Sequence, residues 1–260
     1  MPAAKEKLLR IGIRSGSKPL SLQMKTLLDD RFAPITSSVG FLEAPLDSIA
    51  KTLVAWRRTH EWFRKQPQLV TADGFDQTFP ECLRRLEPLG SHERELLLET
   101  RSPWVAYFDS GHRGTDPSAV GFLPTQLRCR GLFVSCIPDT YDEKAKPPGR
   151  YGAVQFHLFG PDPNPILNYL RTIDAVHDGD RWVFETSGNA QTFEHPERYQ
   201  ARRVRDRFTA EMLDDYCAAL GIRYFDPTFY GSRGFLVEDT RPDRMSKSLA
   251  AVQKELGISP

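Results

Sequence analysis

Apolar and polar side chains first alternate cleanly at Gly152–Phe159, where Val154, Phe156 and Leu158 interleave with Gln155 and His157. A period of two predicts a strand buried on one face. Two further runs, Tyr169–Val176 and Arg181–Glu185, flank His177-Asp-Gly-Asp180. Asp178-Gly179 can supply the positive φ angles of a type I′ turn, so the pair reads as an antiparallel hairpin. The period then becomes helical. Thr209 stands as N-cap, Glu211 suits the positive helix end, and Gly221 follows as a left-handed stop. Leu213, Tyr216, Cys217 and Leu220 share one face of this helix, which predicts that it covers the sheet. Tyr151–Gly221 is therefore the unit around which the rest of the chain is organised.

Upstream, Leu8–Ile13 reads as a strand, Ser21–Phe32 as a short helix and Ser38–Leu42 as a strand. Pro45 then opens a helix of about 14 residues with Leu46, Ile49, Ala50, Leu53 and Trp56 on one side. Gln68–Thr71 and Val105–Phe108 predict strands, Phe79–Leu86 and His92–Thr100 helices. Ser118–Leu127 reads as a helix interrupted at Pro124, and Gly131–Ile137 as a strand buried on both faces. A last strand at Gly234–Glu238 precedes a mobile or lightly docked helix over Ser246–Leu256. This order predicts an α+β fold with a mixed, mainly antiparallel sheet covered by helices on one side.

The most linker-like segment is Asp139–Gly149, polar and closed by Pro147-Pro148, followed by Gly160–Pro165. The chain reads as a single α+β domain over residues 1–260. The alternative is an N-terminal α/β part, residues 1–138, and a C-terminal hairpin-plus-helix part, residues 150–260, joined by the loop 139–149.

Composition narrows the function classes. Apolar residues make up 40% and charged residues 27% of the chain, an ordinary globular balance, and 35 basic against 34 acidic side chains leave a net charge of +1. No global field attracts nucleic acid or an anionic membrane. No apolar run approaches the ~20 residues of a membrane span, and the start lacks a secretory apolar core, so the expectation is a soluble cytoplasmic protein. Cys82, Cys129, Cys136 and Cys217 are scattered singly and read as reduced, mostly buried thiols.

Candidate chemistry is sparse. The loop Asp109–Asp116 holds Ser110, His112 and Asp116, the residue types of a nucleophile, a base and an orienting acid, with Arg113 beside them. It lacks the G-x-S-x-G turn, and small polar residues in such loops usually bond their own backbone. Glu185 is the carboxylate best anchored on a strand. His157, His177 and His195 lie near Asp174, Asp178, Glu185 and Glu194 in sequence but share no metal-ligand spacing. No metal site and no cofactor is expected, since both the P-loop and the G-x-G-x-x-G pattern are missing.

Arg198, Arg202, Arg203, Arg205 and Arg207 form the densest basic cluster. A helix over Pro196–Phe208 would place Arg198, Arg202 and Arg205 on one stripe, flanked by Tyr199 and Phe208. The interleaved Glu194, Glu197, Asp206 and Glu211 offer a plainer account, a solvated face of ion pairs, and make nucleic acid an unfavoured partner. Tyr230 and Arg233 belong to the glycine-bearing stretch Phe229–Gly234, whose glycines would admit a ligand closely.

These features point to a binding protein without catalytic activity, with a protein partner, of neutralising, adaptor or immunity type. Its warrant is the missing catalytic motifs together with arginines beside aromatics, the residue types of binding hot spots. A small-molecule ligand stays open. The alternative is an enzyme with a hydrolase-like acid–base site, His112 or Glu185, in a pocket framed by the loops 109–116 and 229–234.

Overall fold

The computed structural model describes residues 24–59, 67–71, 77–90, 94–162, 168–239 and 245–258. In chain order the elements are β1 (Ser38–Leu42), α1 (Leu46–Thr59), β2 (Pro67–Thr71), α2 (Phe79–Arg84), β3 (Arg94–Thr100), β4 (Val105–Asp109), α3 (Ser118–Leu127), β5 (Gly131–Ile137), β6 (Ala153–Phe159), β7 (Tyr169–His177), β8 (Trp182–Gly188), α4 (Ala210–Ala219), β9 (Tyr230–Asp239) and α5 (Leu249–Glu255). The strands form one sheet in the order β2-β9-β3-β4-β1-β5-β6-β7-β8. Every ladder in it is antiparallel, so the α+β class stands and the expected mixed sheet is corrected to an antiparallel one. No described helix is long and apolar enough to cross a membrane.

Helices lie on both faces of this sheet, which corrects the expected one-sided cover. Val39, Phe41, Leu96, Leu98, Phe108, Val134 and Phe156 share one core with residues of α2, α4 and α5. Their strand neighbours Leu42, Leu97, Tyr107 and Phe133 share the other with residues of α1 and α3. Central strands buried on both faces carry unbroken apolar runs. That is why Leu96-Leu97-Leu98 misleads: three consecutive leucines satisfy a helix as well as a strand, and Arg94–Thr100 is strand β3, not helix. His92 and Glu93, which opened the expected helix, lie outside the described residues.

The hairpin and its covering helix stand as expected, with one change. Only Gly179, the first central turn residue, has a positive φ (107°), the pattern of a type II′ turn instead of I′. The Asp178 carboxylate accepts the N–H groups of Asp180 and Arg181 and so holds the turn. On α4, the Thr209 hydroxyl accepts the Met212 N–H, and Leu213, Tyr216 and Cys217 are buried against the sheet. β5 and β6, on either side of the loop 139–149, are neighbours in the sheet.

Three other expectations change. Leu27–Asp30 is a single 3-10 turn in which Leu28, Asp29 and Asp30 all have positive φ. Left-handed non-glycine residues cost roughly 1–2 kcal/mol each, offset here by burial of Leu27 and Leu28 and by the bond from Arg150 Nη2 to Asp30 at 2.5 Å. Residues 21–23 of that expected helix, and the expected strand Leu8–Ile13, lie outside the described residues. Phe229–Gly234 is not a loop, since Tyr230 onward is strand β9. A Cβ at Gly234 would stand 2.1 Å from the Leu97 carbonyl oxygen, so that glycine admits the neighbouring strand β3. Helix α5 is docked: Leu249 and Val252 are buried, and the Gln253 amide donates to the carbonyls of Arg31 and Ala33 at 3.0 Å.

Candidate functional site

The arginine-bearing stretch is positioned by a buried polar network. Along β7, Arg171, Ile173 and Ala175 point to the same face, and all three are buried. A guanidinium on that face needs a counter-charge, and Glu194 supplies it. Arg171 Nε donates to Glu194 Oε1 at 2.9 Å and Nη2 to Oε2 at 2.7 Å, the two-pronged geometry that fits a carboxylate best. Arg171 Nη1 donates to the carbonyls of Ser187 and Gly188. The Gln191 N–H and the Tyr199 hydroxyl donate to the same carboxylate at 2.7 and 2.9 Å. Because the Tyr199 proton is committed to Glu194, the Tyr216 hydroxyl, 3.0 Å away, donates to the Tyr199 oxygen and accepts the His195 N–H at 2.8 Å. Burial, then the bonds to Tyr216 and Glu194, push the Tyr199 phenol far above its usual range and keep it a donor.

The segment that follows is not the expected helix. Pro196–Gln200 and Val204–Asp206 are separate 3-10 turns, because His195 and Ala201–Arg203 leave helical geometry. The single stripe of Arg198, Arg202 and Arg205 is thereby replaced by a loop. Arg207 closes it by donating from Nε to the Ala201 carbonyl at 3.0 Å while lying over the Phe184 ring. Arg198, Arg202 and Arg203 are exposed, and no described residue makes an ion pair or hydrogen bond with their side chains. Arg205 lies 3.8 Å from Asp206, a loose exposed pair, and Glu197 is turned to His195 at 3.6 Å. The expected lacing of this face with ion pairs is therefore largely missing. Tyr199 and Tyr230 are core residues: the Tyr230 ring stacks on Phe79 at 4.2 Å and its hydroxyl donates to the Tyr224 carbonyl. Arg233 is exposed on β9 and paired with Glu99 and Asp47.

Of the candidate catalytic residues, Ser110, His112 and Asp116 are engaged by backbone groups. Ser110 is fully buried, and its hydroxyl accepts the Arg94 N–H at 3.1 Å. His112 Nε2 meets the Leu89 carbonyl at 3.0 Å, and Asp116 Oδ1 accepts the Ser118 N–H at 2.8 Å. Asp109, not named as a site residue, organises the loop by accepting the N–H groups of Gly111 and Asp116. The segments 109–116 and 229–234 stand at opposite ends of β3. Asp109 pairs with Glu95 at one end of β3 and Tyr230 with Thr100 at the other, a separation of about 17 Å at the usual rise per strand residue. Glu185 is exposed on β8 in register with Asp174, whose carboxylate takes bonds from His157 at 2.7 Å and Gln155 at 2.8 Å. His177 stacks on Tyr151 at 4.9 Å, and Trp182 meets His177 edge-on. The three histidines thus stand on separate partners.

No family model, curated protein or solved structure matches the chain. Sequence reasoning missed the pairing of Arg171 with Glu194. Its signal is present all the same: a basic residue in phase with the buried Ile173 and Ala175 of a strand demands a buried acid.

Proposed function

We infer that this protein works by binding another protein, an acidic one, through Arg198, Arg202 and Arg203. The observation that carries the reading is that these three cations are exposed without a carboxylate partner, on a segment whose backbone is fixed by the buried Arg171–Glu194–Tyr199–Tyr216 network. Guanidinium groups on a held backbone lose less freedom when they engage carboxylates, and their field speeds encounter with a partner of opposite sign. Glu197 and Asp206 in the same segment disfavour a nucleic-acid backbone. A neutralising or immunity-type role fits such a surface, since masking another protein requires no chemistry. Four unpaired thiols fit a reducing, cytoplasmic setting. We take the chain to act as one unit because β5 and β6 pair across the loop 139–149. The enzymatic alternative is disfavoured because Ser110 and His112 are engaged by backbone groups.

The test is affinity isolation of the native protein with its partner, compared with the Arg198→Glu/Arg202→Glu/Arg203→Glu variant. The expected outcome is one acidic protein whose affinity falls at least about a hundredfold, or about 3 kcal/mol, in the variant and weakens with salt. A partner retained equally by the variant would sink the assignment of these residues, and a partner that is a nucleic acid would sink the class.

A further inference from the structure

On the face that carries α1 and α3, helical cover among the described residues ends at α3, and beyond it the polar residues Gln155, His157, Thr172 and Asp174 of β6 and β7 are only partly buried. At this step from covered to bare sheet lies a cavity of about 520 Å³, within the size range of small-molecule sites. Phe122 of α3 forms one wall, and Phe159 with Tyr169, their ring centres 4.6 Å apart, forms the other. The Phe122 wall is buttressed. Trp56 stacks behind it at 4.6 Å, Arg57 lies over Trp56 at 4.2 Å, and Arg57 is itself locked to the buried Glu95. Gly121 keeps the space open: even a methyl group there would come within 3.3 Å of the Phe159 ring.

The polar lining is partly committed to the backbone, and its one carboxylate keeps an oxygen for a ligand. The Thr125 hydroxyl donates to the Phe122 carbonyl, and the Asn168 amide donates to the Gly160 carbonyl. Asp116 is fixed at both ends, its N–H donating to Asp109 and its Oδ1 accepting the Ser118 N–H, while Oδ2 has no partner among the described residues. Among the described residues, no lysine, arginine or histidine lines the cavity. The start of α3 contributes roughly half a positive charge at most, less than the full negative charge of the carboxylate beside it. The site therefore presents one fixed anion at the edge of an aromatic slot, and ring faces add further attraction for a cation.

We propose that this cavity binds a small amphipathic cation, a primary amine on a compact aromatic or branched apolar body. The body lies between Phe122 and the Phe159–Tyr169 pair, and the ammonium group donates to Asp116 Oδ2.

Three probes of matched shape test this: phenethylamine, 2-phenylethanol and 3-phenylpropionate, titrated into the full chain while the Trp56 indole and the Tyr169 ring resonances are followed. The amine is expected to bind about tenfold more tightly than the alcohol, the carboxylate more weakly than either. Asp116→Asn, which keeps the acceptor for Ser118, should abolish the preference for the amine and keep the alcohol's affinity. Gly121→Val should abolish binding of all three. Equal affinity for amine and carboxylate, an amine preference that survives Asp116→Asn, or no response to any probe at about 10 mM, far weaker than a site of this size allows, overturns the proposal. If Gly121→Val fails to fold, the Asp116→Asn titration still decides.

Discussion

Arg171 and Glu194 stand 23 residues apart in the chain and meet edge to edge, with side chains that expose 7% and 0% of their surface. A pair so dry is costly to break from one side. Glu194→Gln leaves the guanidinium buried without its counter-charge, and the expected loss is about 3–5 kcal/mol in urea unfolding. Replacing both partners by apolar residues of similar volume should recover much of that loss. Equal stability of Glu194→Gln and the wild type would show that the pair does not hold the arginine segment in place.

Two glycines make a controlled comparison. Gly221 has φ +78° and nothing within 4 Å of a built Cβ, whereas a Cβ at Gly234 would stand 2.1 Å from the Leu97 carbonyl oxygen. Gly221→Ala should cost only the left-handed backbone term, about 1–2 kcal/mol. Gly234→Ala must move β3 away from β9, and the expected loss exceeds about 4 kcal/mol, in the tail of single-substitution effects. Thermal melts of the two variants, ranked the other way round, would refute the close approach of the strands.

The tyrosines set the alkaline limit. Burial raises the phenols of Tyr107, Tyr199, Tyr224 and Tyr230 above the ordinary value of 10.0, with Glu95 adding to the effect at Tyr107 and bonds to Tyr216 and Glu194 at Tyr199. A folded-state value above the unfolded one favours the protonated form in the fold. Its stabilising contribution is complete below about pH 10 and is lost as the unfolded chain begins to ionise. Stability should therefore fall from about pH 10 upward, each group adding up to about 1.4 kcal/mol per pH unit. Absorbance titration should show these four phenols ionising together with unfolding. Gradual ionisation of all eight tyrosines while the fold persists would contradict it.

Local signals read well where one residue type decides the backbone. Pro45, Thr209, Gly179 and Gly221 mark their helix and turn boundaries, and the alternation of Val154, Phe156 and Leu158 places β6. Periodicity fails where both faces are buried, as at Leu96–Leu98. It fails again where a charged stretch obeys helical spacing by chance, as at Pro196–Phe208, whose course is set by Glu194 reaching into the sheet. The cavity beside Phe122 could not be read at all, since its walls come from α3, β6 and β7 and meet only through sheet order. Ser110, His112 and Asp116 were visible as residue types, but their commitments to Arg94, Leu89 and Ser118 depend on strand pairing.

The sheet order also fixes when the fold can close. β9, residues 230–239, lies between β2 and β3, residues 67–71 and 94–100, so it fills a gap between two strands synthesised well before it. At roughly 5–20 residues per second, about 7–26 seconds separate β3 from the partner that covers its edge. Throughout that wait, Leu96-Leu97-Leu98 offers unpaired backbone and apolar side chains to any neighbouring strand. The nascent chain therefore carries an open, apolar strand edge during its own synthesis, and slower translation lengthens that exposure.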